Sequence, residues 1–557
     1  MIIPTFLLEI LSSYWDLVEQ WLSKQYYERM VRQSPRHWLV QLQQRVNLDT
    51  IEQQCQGYHH SSGPGAKPSQ PVRYLVRGLL VKYLYNLSLR ETEERMNNDL
   101  MVKWFVGYEL FATAMDHSSL ERFEQWVEHH QHRLYFDTVL EQILLDFPAE
   151  HEAVQIGDTF AMQANAAREG LISSLRHTAG ILLRELEQAD PTQSAGWLQG
   201  WNAQALFGHP GERNLFYLGE LERHARLVQT VQGALALVAC VRPYLSNLPA
   251  ELQPRLRLRL EDIDKIIDDA LTVERDEQGQ VQEAHPLPVG KRGQYQLVSA
   301  TDREATMRHH GGNSTLGYNI GLAITPSGVI FEIQSATGAE PDQSSPAALI
   351  QQQRQALGTC PPKLIYDQAA GAGRTRADVA RVSQGQTQLV AKIPPSAYPG
   401  RFSPYEFRLD VTGMRLTCPH QQTTDTVQYD VDHRGRTFTF SFKRHCHDCP
   451  LWTQCRSAKA KPDAVRTVYI SYDHEYIRQA LTYNQSAAFQ LEMKLRPLVE
   501  RIIFMLTNYD GARHARRRGK HWADFQAKMC AMARNLRTWL RKLERQHPTI
   551  APLLVVG

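Results

Sequence analysis

Three short stretches of this 557-residue chain each carry one carboxylate among apolar residues. Asp158 follows Val154-Gln155-Ile156-Gly157, and Asp367 follows Lys363-Leu364-Ile365-Tyr366. Glu500 lies within Arg496-Pro497-Leu498-Val499-Glu500-Arg501-Ile502-Ile503. The patterns predict a short strand ending at each Asp and a helix carrying the Glu. Two Asp and a Glu from separate elements can hold two divalent cations roughly 3.5–4 Å apart, which clamp the attacking and leaving oxygens of an in-line displacement at phosphorus. Mg²⁺ or Mn²⁺ suits such oxygen donors. An unpaired carboxylate among Leu495, Leu498, Val499, Ile502 and Ile503 is costly to bury. Glu500 therefore needs a metal, or an intrahelical partner in Arg496 four residues earlier. The planar fork of Arg496 also suits a phosphate. Asp302 and Asp342 rival the trio but read as loop residues. Asp378 reads as an exposed helix residue, and His309 and His310 as a surface loop.

Cysteines carry the second signal. Cys418, Cys446, Cys449 and Cys455 fall within about forty residues, and Cys446-x2-Cys449 is the usual half-site of tetrahedral zinc. β-like residues from Thr437 to Phe442 surround them, as in a zinc ribbon. A structural zinc is expected, with His420, His445 or His447 able to replace one thiolate. The alternative is four reduced cysteines on a packed subdomain. Cys55, Cys240, Cys360 and Cys530 are scattered and read as core.

A basic tail follows the Glu: Arg513, Arg516, Arg517, Arg518 and Lys520, then Lys528, Arg534, Arg537, Arg541, Lys542 and Arg545. Cations outnumber acids here, which suits neutralisation of a phosphate backbone. Trp522 and Trp539 read as packing.

The elements that must position these groups alternate along the chain. Residues 1–60 look helical, His59 to Pro71 reads as a linker, and 72–147 are helical again. Asp116-His117-Ser118-Ser119-Leu120-Glu121 predicts a helix start capped by Ser118. Residues 165–285 read as helical, with long helices over Leu215–Val241 and Leu252–Leu271. Gly317–Ile324 and Gly328–Ile333 predict a hairpin around Thr325-Pro326-Ser327. A helix over Pro346–Leu357 leads to the Asp367 strand, and another strand spans Gln388–Ile393. With the helical and cysteine-bearing insertions removed, a mixed sheet with helices on its faces remains. The domain expectation is a helical N-terminal domain over 1–150 and a core built from 151–166, 290–397 and 480–545. A helical insertion occupies 167–289 and a cysteine-bearing β insertion 398–479.

Bulk properties exclude other classes. At 42% hydrophobic and 22% charged residues the chain has a globular composition. The net charge of +3 leaves nucleic-acid affinity to local clusters. The apolar amino terminus lacks a basic n-region and reads as an amphipathic helix, not a signal peptide. No run reaches membrane-span length. Eight cysteines with no secreted framework point to a reducing interior.

On these blocks the chain resembles the DDE transposases of bacterial insertion sequences. Residues 72–130 are similar to the family's helical N-terminal domain. Gly157-Asp158-Thr159 with Ala164-Asn165-Ala166 is similar to its first-aspartate block. Leu364-Ile365-Tyr366-Asp367 with Gly371 and Gly373 is similar to the second. Arg496-x3-Glu500, with Arg513, Arg516, Arg517, Arg518, Gly519 and Asn535, is similar to the glutamate block and basic tail. Departures are Met493 where the family often has Tyr, Thr507 where it often has Lys, and Asp367-Gln368-Ala369-Ala370 for Asp-x-Gly-Tyr.

The resemblance implies an α/β multidomain protein with an RNase H-like mixed-sheet core. It implies catalysis by Asp158, Asp367 and Glu500 with Mg²⁺ or Mn²⁺. Arg496, Arg513, Arg516, Arg517, Arg518 and Lys520 would lie on DNA. The partners implied are double-stranded DNA (element ends and target) and a second copy in a homodimer or higher oligomer, in the bacterial cytoplasm. Two alternatives share the residues: a metal-dependent nuclease that does not join ends, and an inactive DNA-binding relative.

Overall fold

The computed structural model describes residues 5–59, 70–191, 201–209, 211–212, 214–394, 401–432, 435–442, 446, 448–457, 460–461 and 464–546. Most of the expected linker, together with His445 and His447, lies outside them. The N-terminal region is helical, as expected. The helices used below are α1 (Thr5–Gln33), α2 (Val72–Leu84), α3 (His117–His130) and α4 (Leu134–Asp146). Asp116, not Ser118, caps α3. Its carboxylate accepts from Ser119 N at 2.8 Å and from the Ser118 hydroxyl at 2.6 Å. A carboxylate placed one residue before the helix outcompetes a hydroxyl inside it.

The chain then enters β1 (Gln155–Gln163) and leaves the sheet for the helical insertion. Its helices are α5 (Leu171–Ala189), α6 (Glu220–Val241) and α7 (Gln253–Ala270). The insertion ends in a two-stranded hairpin, β2 (Leu271–Arg275) and β3 (Val281–Pro286), where helix had been expected. Asp276-Glu277-Gln278-Gly279 forms the turn, with Gly279 at φ +79°. The insertion has its own apolar core, centred on Leu182, Val231, Leu237 and Ile263. Among the described residues one stretch, Glu220–Asn247, is long and apolar enough to cross a membrane by length and composition. Its Leu227, Val231, Leu237 and Val238 line that core instead.

Return to the sheet comes through β4 (Thr306–His310), β5 (Asn313–Ile324) and β6 (Ile330–Thr337). Helix α8 (Ser345–Leu357), β7 (Lys363–Ile365), α9 (Gly373–Val382) and β8 (Gln388–Val390) follow. Strand β5 lies antiparallel to β1, and β7 and β8 run parallel to it, giving the path β5-β1-β7-β8. Strands β4 and β6 share the far edge of β5, end to end. His309 and His310 therefore stand in a strand, not in a loop. The hairpin and α8 match the sequence reading within a few residues.

The cysteine-bearing region forms two three-stranded sheets. One holds β9 (Arg408–Asp410), β10 (Arg415–Thr417) and β11 (Thr423–Thr424). The other holds β12 (Val427–Asp432), β13 (Gly435–Ser441) and β14 (Thr467–Ser471). The chain ends in α10 (Pro497–Asn508) and α11 (Lys520–Gln546).

Helix α11 organises the molecule. Cys530, Ala531, Met532 and Leu536 are fully buried in an apolar cluster shared by the N-terminal helices and one face of the sheet. Asn535 locks α11 to β6, donating to Ile330 O and accepting from Ile330 N, both at 2.8 Å. Trp539, only 2% exposed, donates to Asp146 of α4 at 2.8 Å, so it serves packing. The other face of the sheet is covered by α8 and α9 over Leu349, Leu364, Tyr366 and Val379.

Candidate active site

Asp158 lies inside β1, five residues before its end, so it is a mid-strand residue and not a strand terminus. The antiparallel partner β5 extends β1 beyond the apolar run that marks it in sequence. Gln155 stands beside Leu364 and Ile156 beside Ile365 in the parallel β1–β7 register. The same register carried forward sets Asp158 beside Asp367. Asp367 sits two residues past β7, as expected, and caps the turn that follows by accepting from Ala369 N at 3.0 Å.

Local backbone demands explain two glycines of these blocks. A Cβ on Gly157 would lie 2.5 Å from Cε2 of the fully buried Tyr366 ring. A Cβ on Gly371 would strike the Lys392 carbonyl. Arg376 is a positioning residue that the sequence did not reveal. Its guanidinium donates to Gly371 O at 3.2 Å and to Leu389 O and Ala391 O at 2.7 Å each. These bonds tie the Asp367 loop to β8, and burial pushes the guanidinium down to about 10.

Glu500 stands on α10, but its side chain is 63% exposed. Val499, Ile502 and Leu506 turn inward instead, so the carboxylate escapes the burial expected from its neighbours. Arg496 joins the elements. Its Nη2 lies 3.1 Å from Asp158 Oδ2 and 3.7 Å from Glu500 Oε1, and Nη1 lies 3.5 Å from Gly157 O. The intrahelical contact is present, yet Asp158 is the closer partner.

Burial pushes the Asp158 carboxyl above its ordinary value. Arg496 and the Thr159 amide oppose this, while Asp367 and Asp342 add to it. Asp342 starts a short 3-10 turn and was read as a rival. Burial would raise its carboxyl, but hydrogen bonds from Asn319 and Thr159 and the Arg308 charge bring it below its usual value. Those bonds run from Asn319 Nδ2 and Thr159 Oγ1, each at 2.7 Å. Asp302 is buried and accepts from the Tyr318 hydroxyl and from Gly519 N at 3.1 Å, so it serves the fold. Asp378 is held by its own helix, by Arg374 at 3.2 Å and Arg381 at 3.0 Å.

The basic tail divides. Arg516 donates to Leu87 O at 3.1 Å and Asn86 Oδ1 at 2.7 Å and lies over the Tyr83 ring. Arg517 pairs with Glu121 at 2.8 Å and covers Trp522. Both spend contacts on joining the tail to the N-terminal helices. Arg513 donates to Asn508 Oδ1 and Arg518 to Asn165 O, while Lys520 opens α11 beside the sheet.

The four cysteines near the carboxyl side converge. Burial pushes the Cys446 thiol up, with Cys449 and Cys418 adding to it. Cys455 rises by burial too, with Cys446 and Cys449 adding. Cys418, Cys446 and Cys455 pack against the apolar core of the two small sheets. Cys446 Sγ also accepts from Arg466 N at 3.3 Å.

Comparison with known families matches two regions. A family described as "Transposase domain (DUF772)" covers residues 27–126, and one described as "Transposase DDE domain" covers 417–540. Both are transposase domains. They support a DDE transposase of an insertion sequence, in line with the sequence blocks. No curated protein and no solved structure matches the chain. The transposase DDE match takes in Glu500, the basic tail and the cysteines, while Asp158 and Asp367 lie outside it.

Proposed function

We propose that this transposase cuts the ends of an insertion sequence and joins them to target DNA by two-metal phosphoryl transfer. The observation that carries the reading is that Asp367, just past β7, acts electrostatically on Asp158 of the neighbouring parallel strand β1, while Arg496 links Asp158 to Glu500. The strand path β6-β5-β1-β7-β8, in which β5 alone runs opposite to the other four, supports an RNase H-like core over 151–166, 290–397 and 480–545.

The residues fit divalent metal. Asp158 is raised by burial and by two carboxylate neighbours, so a deficit of positive charge exists where cations would bind. Asp158, Asp367 and Glu500 would hold Mg²⁺ or Mn²⁺, which when bound supplies Lewis-acid activation of the phosphodiester and of water. Arg496 swings between Asp158 and a DNA phosphate. The Asp367 turn, fixed by Arg376, keeps its carboxylate aimed while DNA enters. Hydrolysis frees a 3′-hydroxyl at the element end, and that hydroxyl displaces the leaving oxygen of a target phosphodiester.

Arg513, Arg518 and Lys520 contact the DNA backbone, and Arg516 and Arg517 hold their segment in place beside it. The 1–150 region recognises the element ends, and two copies act together on two ends in the bacterial cytoplasm. The 167–289 insertion shapes the DNA channel. Cys418, Cys446, Cys449 and Cys455 bind a structural zinc in a ribbon-like insertion over 398–479.

The test is cleavage and strand transfer on DNA carrying the flanks of the encoding gene, with Mg²⁺ or Mn²⁺. Wild type runs beside Asp158→Ala, Asp367→Ala and Glu500→Ala. Joined products lost in all three variants support the reading. Cleavage without joining favours a nuclease. Binding without either reaction favours an inactive DNA-binding relative.

A further inference from the structure

A second cluster of metal-ligand side chains lies away from the acidic site, where the N-terminal helices meet α11. Glu128 belongs to α3, His132 to the turn after it, and His521 to the first turn of α11. Their ligand atoms all lie within 4.8 Å of one another. Zinc bonds to imidazole and carboxylate are about 2.0–2.2 Å long, so two ligands of one tetrahedral ion sit roughly 3.4 Å apart. The cluster comes close to that spacing, and His521 is the exposed member able to adjust.

The hydrogen bonds give an independent indication. Nδ1 of His132 faces Glu128 O at 3.3 Å, and its Nε2 faces Asp524 Oδ2 at 2.8 Å. Both partners are acceptors, but a neutral imidazole has one N–H to give. Nδ1 of His521 likewise faces a Glu128 carboxylate oxygen. The two rings approach to 4.1 Å between centroids. Lys528 stands 2.5 Å from Asp524, whereas the Glu128 carboxylate is faced by His521. With the N–H of His132 on Nε2 and donating to Asp524, Nδ1 is the bare nitrogen open to an ion, and the carboxylate orients the ring as in a carboxylate–histidine–metal set.

We infer that Glu128, His132 and His521 form a zinc-class metal site that pins the end of α3 to the start of α11. The donor set is two nitrogens and one oxygen, which suits Zn²⁺ or Co²⁺ over Mg²⁺. This inference does not rest on the phosphoryl-transfer reading, since none of these residues belongs to the acidic site. The same seam carries Arg517 against Glu121 and Lys528 against Asp524, so an ion here would reinforce a joint already built from charge pairs.

The experiment strips the full chain with chelator, reloads it with Zn²⁺ alone, and counts bound zinc by elemental mass spectrometry. His521→Ala and His132→Gln are each expected to hold about one zinc per chain less than wild type. Cys449→Ser separates the cysteine cluster and keeps the seam ion. Cobalt in Cys449→Ser should then give a d–d band without a thiolate charge-transfer band, and adding His521→Ala should remove it. Zn²⁺ should also raise the Tm of Cys449→Ser but not that of Cys449→Ser/His521→Ala. His521 is 60% exposed, so its loss leaves the core intact. Equal zinc counts in wild type and both histidine variants, or no cobalt band in Cys449→Ser, would overturn the site and leave a hydrogen-bonded histidine pair.

Discussion

Two regions of this chain hold clustered charge, and they treat it differently. At the seam between the N-terminal helices and α11, most buried acids meet a Lys or an Arg, whereas Glu128 faces His521. Lys82 pairs with Glu124 at 2.5 Å, with side chains only 4% and 1% exposed. Asp510 meets Arg534 at 2.5 Å and also Arg537. Glu332 accepts from Arg133 Nη2 at 2.9 Å. Around Asp158 the partners are fewer: Asp158 and Glu500 share Arg496, Asp342 faces Arg308, and Asp367 and Asp342 both raise the Asp158 carboxyl. Charge that is matched holds elements together. Charge left over is the mark of a place built to receive something else.

The sharpest break of that contrast is Asp158→Asn or Asp367→Asn. Each should cut DNA cleavage by on the order of 10³-fold, the scale for removing a group that stabilises transition-state charge. Urea unfolding of the metal-free chain should show little loss for Asp158→Asn. Loss of both activity and stability would make the acidic site a structural joint like the seam.

Lys82→Met tests the opposite pole. It leaves Glu124 buried without its closest cation and should cost about 3–5 kcal/mol in denaturant unfolding. An unchanged midpoint would show that seam charges are no more structural than those at the site.

Gly157→Ala brings packing into the comparison, because its new methyl must displace the Tyr366 ring beneath Asp158. A cost of about 1–3 kcal/mol is expected. Cleavage should fall further than the stability change alone explains, measured at a temperature where the variant is fully folded.

Acidity gives a subtler readout. The folded state raises the Asp158 carboxyl above its unfolded value, so the folded chain holds that proton more tightly. Its contribution to metal-free stability is therefore present at low pH and lost as pH rises through the folded value. A metal must displace the same proton, so Mn²⁺ affinity should weaken as pH falls through that value. Calorimetric titration across pH checks this. A pH slope unchanged by Asp158→Asn would remove Asp158 from the metal site.

The smallest effect belongs to ordinary surface charge. Arg374 is 69% exposed in its pair with Asp378. Arg374→Ala should move stability by less than about 1 kcal/mol in the same urea assay.

How much of this was legible in the sequence varies with the physics that decides it. The hairpin at Thr325 and helix α8 follow from local period and turn residues, and both are present. Asp367 at the end of β7 was legible because the strand stops where its apolar run stops. Asp158 was misplaced along its strand because pairing with β5, far along the chain, extends β1 through Ala161 and Met162. Glu500 was set among apolar neighbours, and only packing decides which way a helix turns its faces. Arg376 had no signal at all. Its three carbonyl partners come from the turn after Asp367 and from the end of one later strand, β8, which no local pattern encodes.

The shared core has a consequence for the birth of the chain. Trp539 and Asp146, bonded across the seam, are separated by 393 residues. At about 5–20 residues per second, a ribosome needs on the order of 20–80 s to travel between them. Through that interval the early helices present Leu140, Ile143 and their neighbours without the last helix that covers them. A message truncated before α11 would release a polypeptide whose N-terminal helices lack their cover, so this core closes only once α11 has been made.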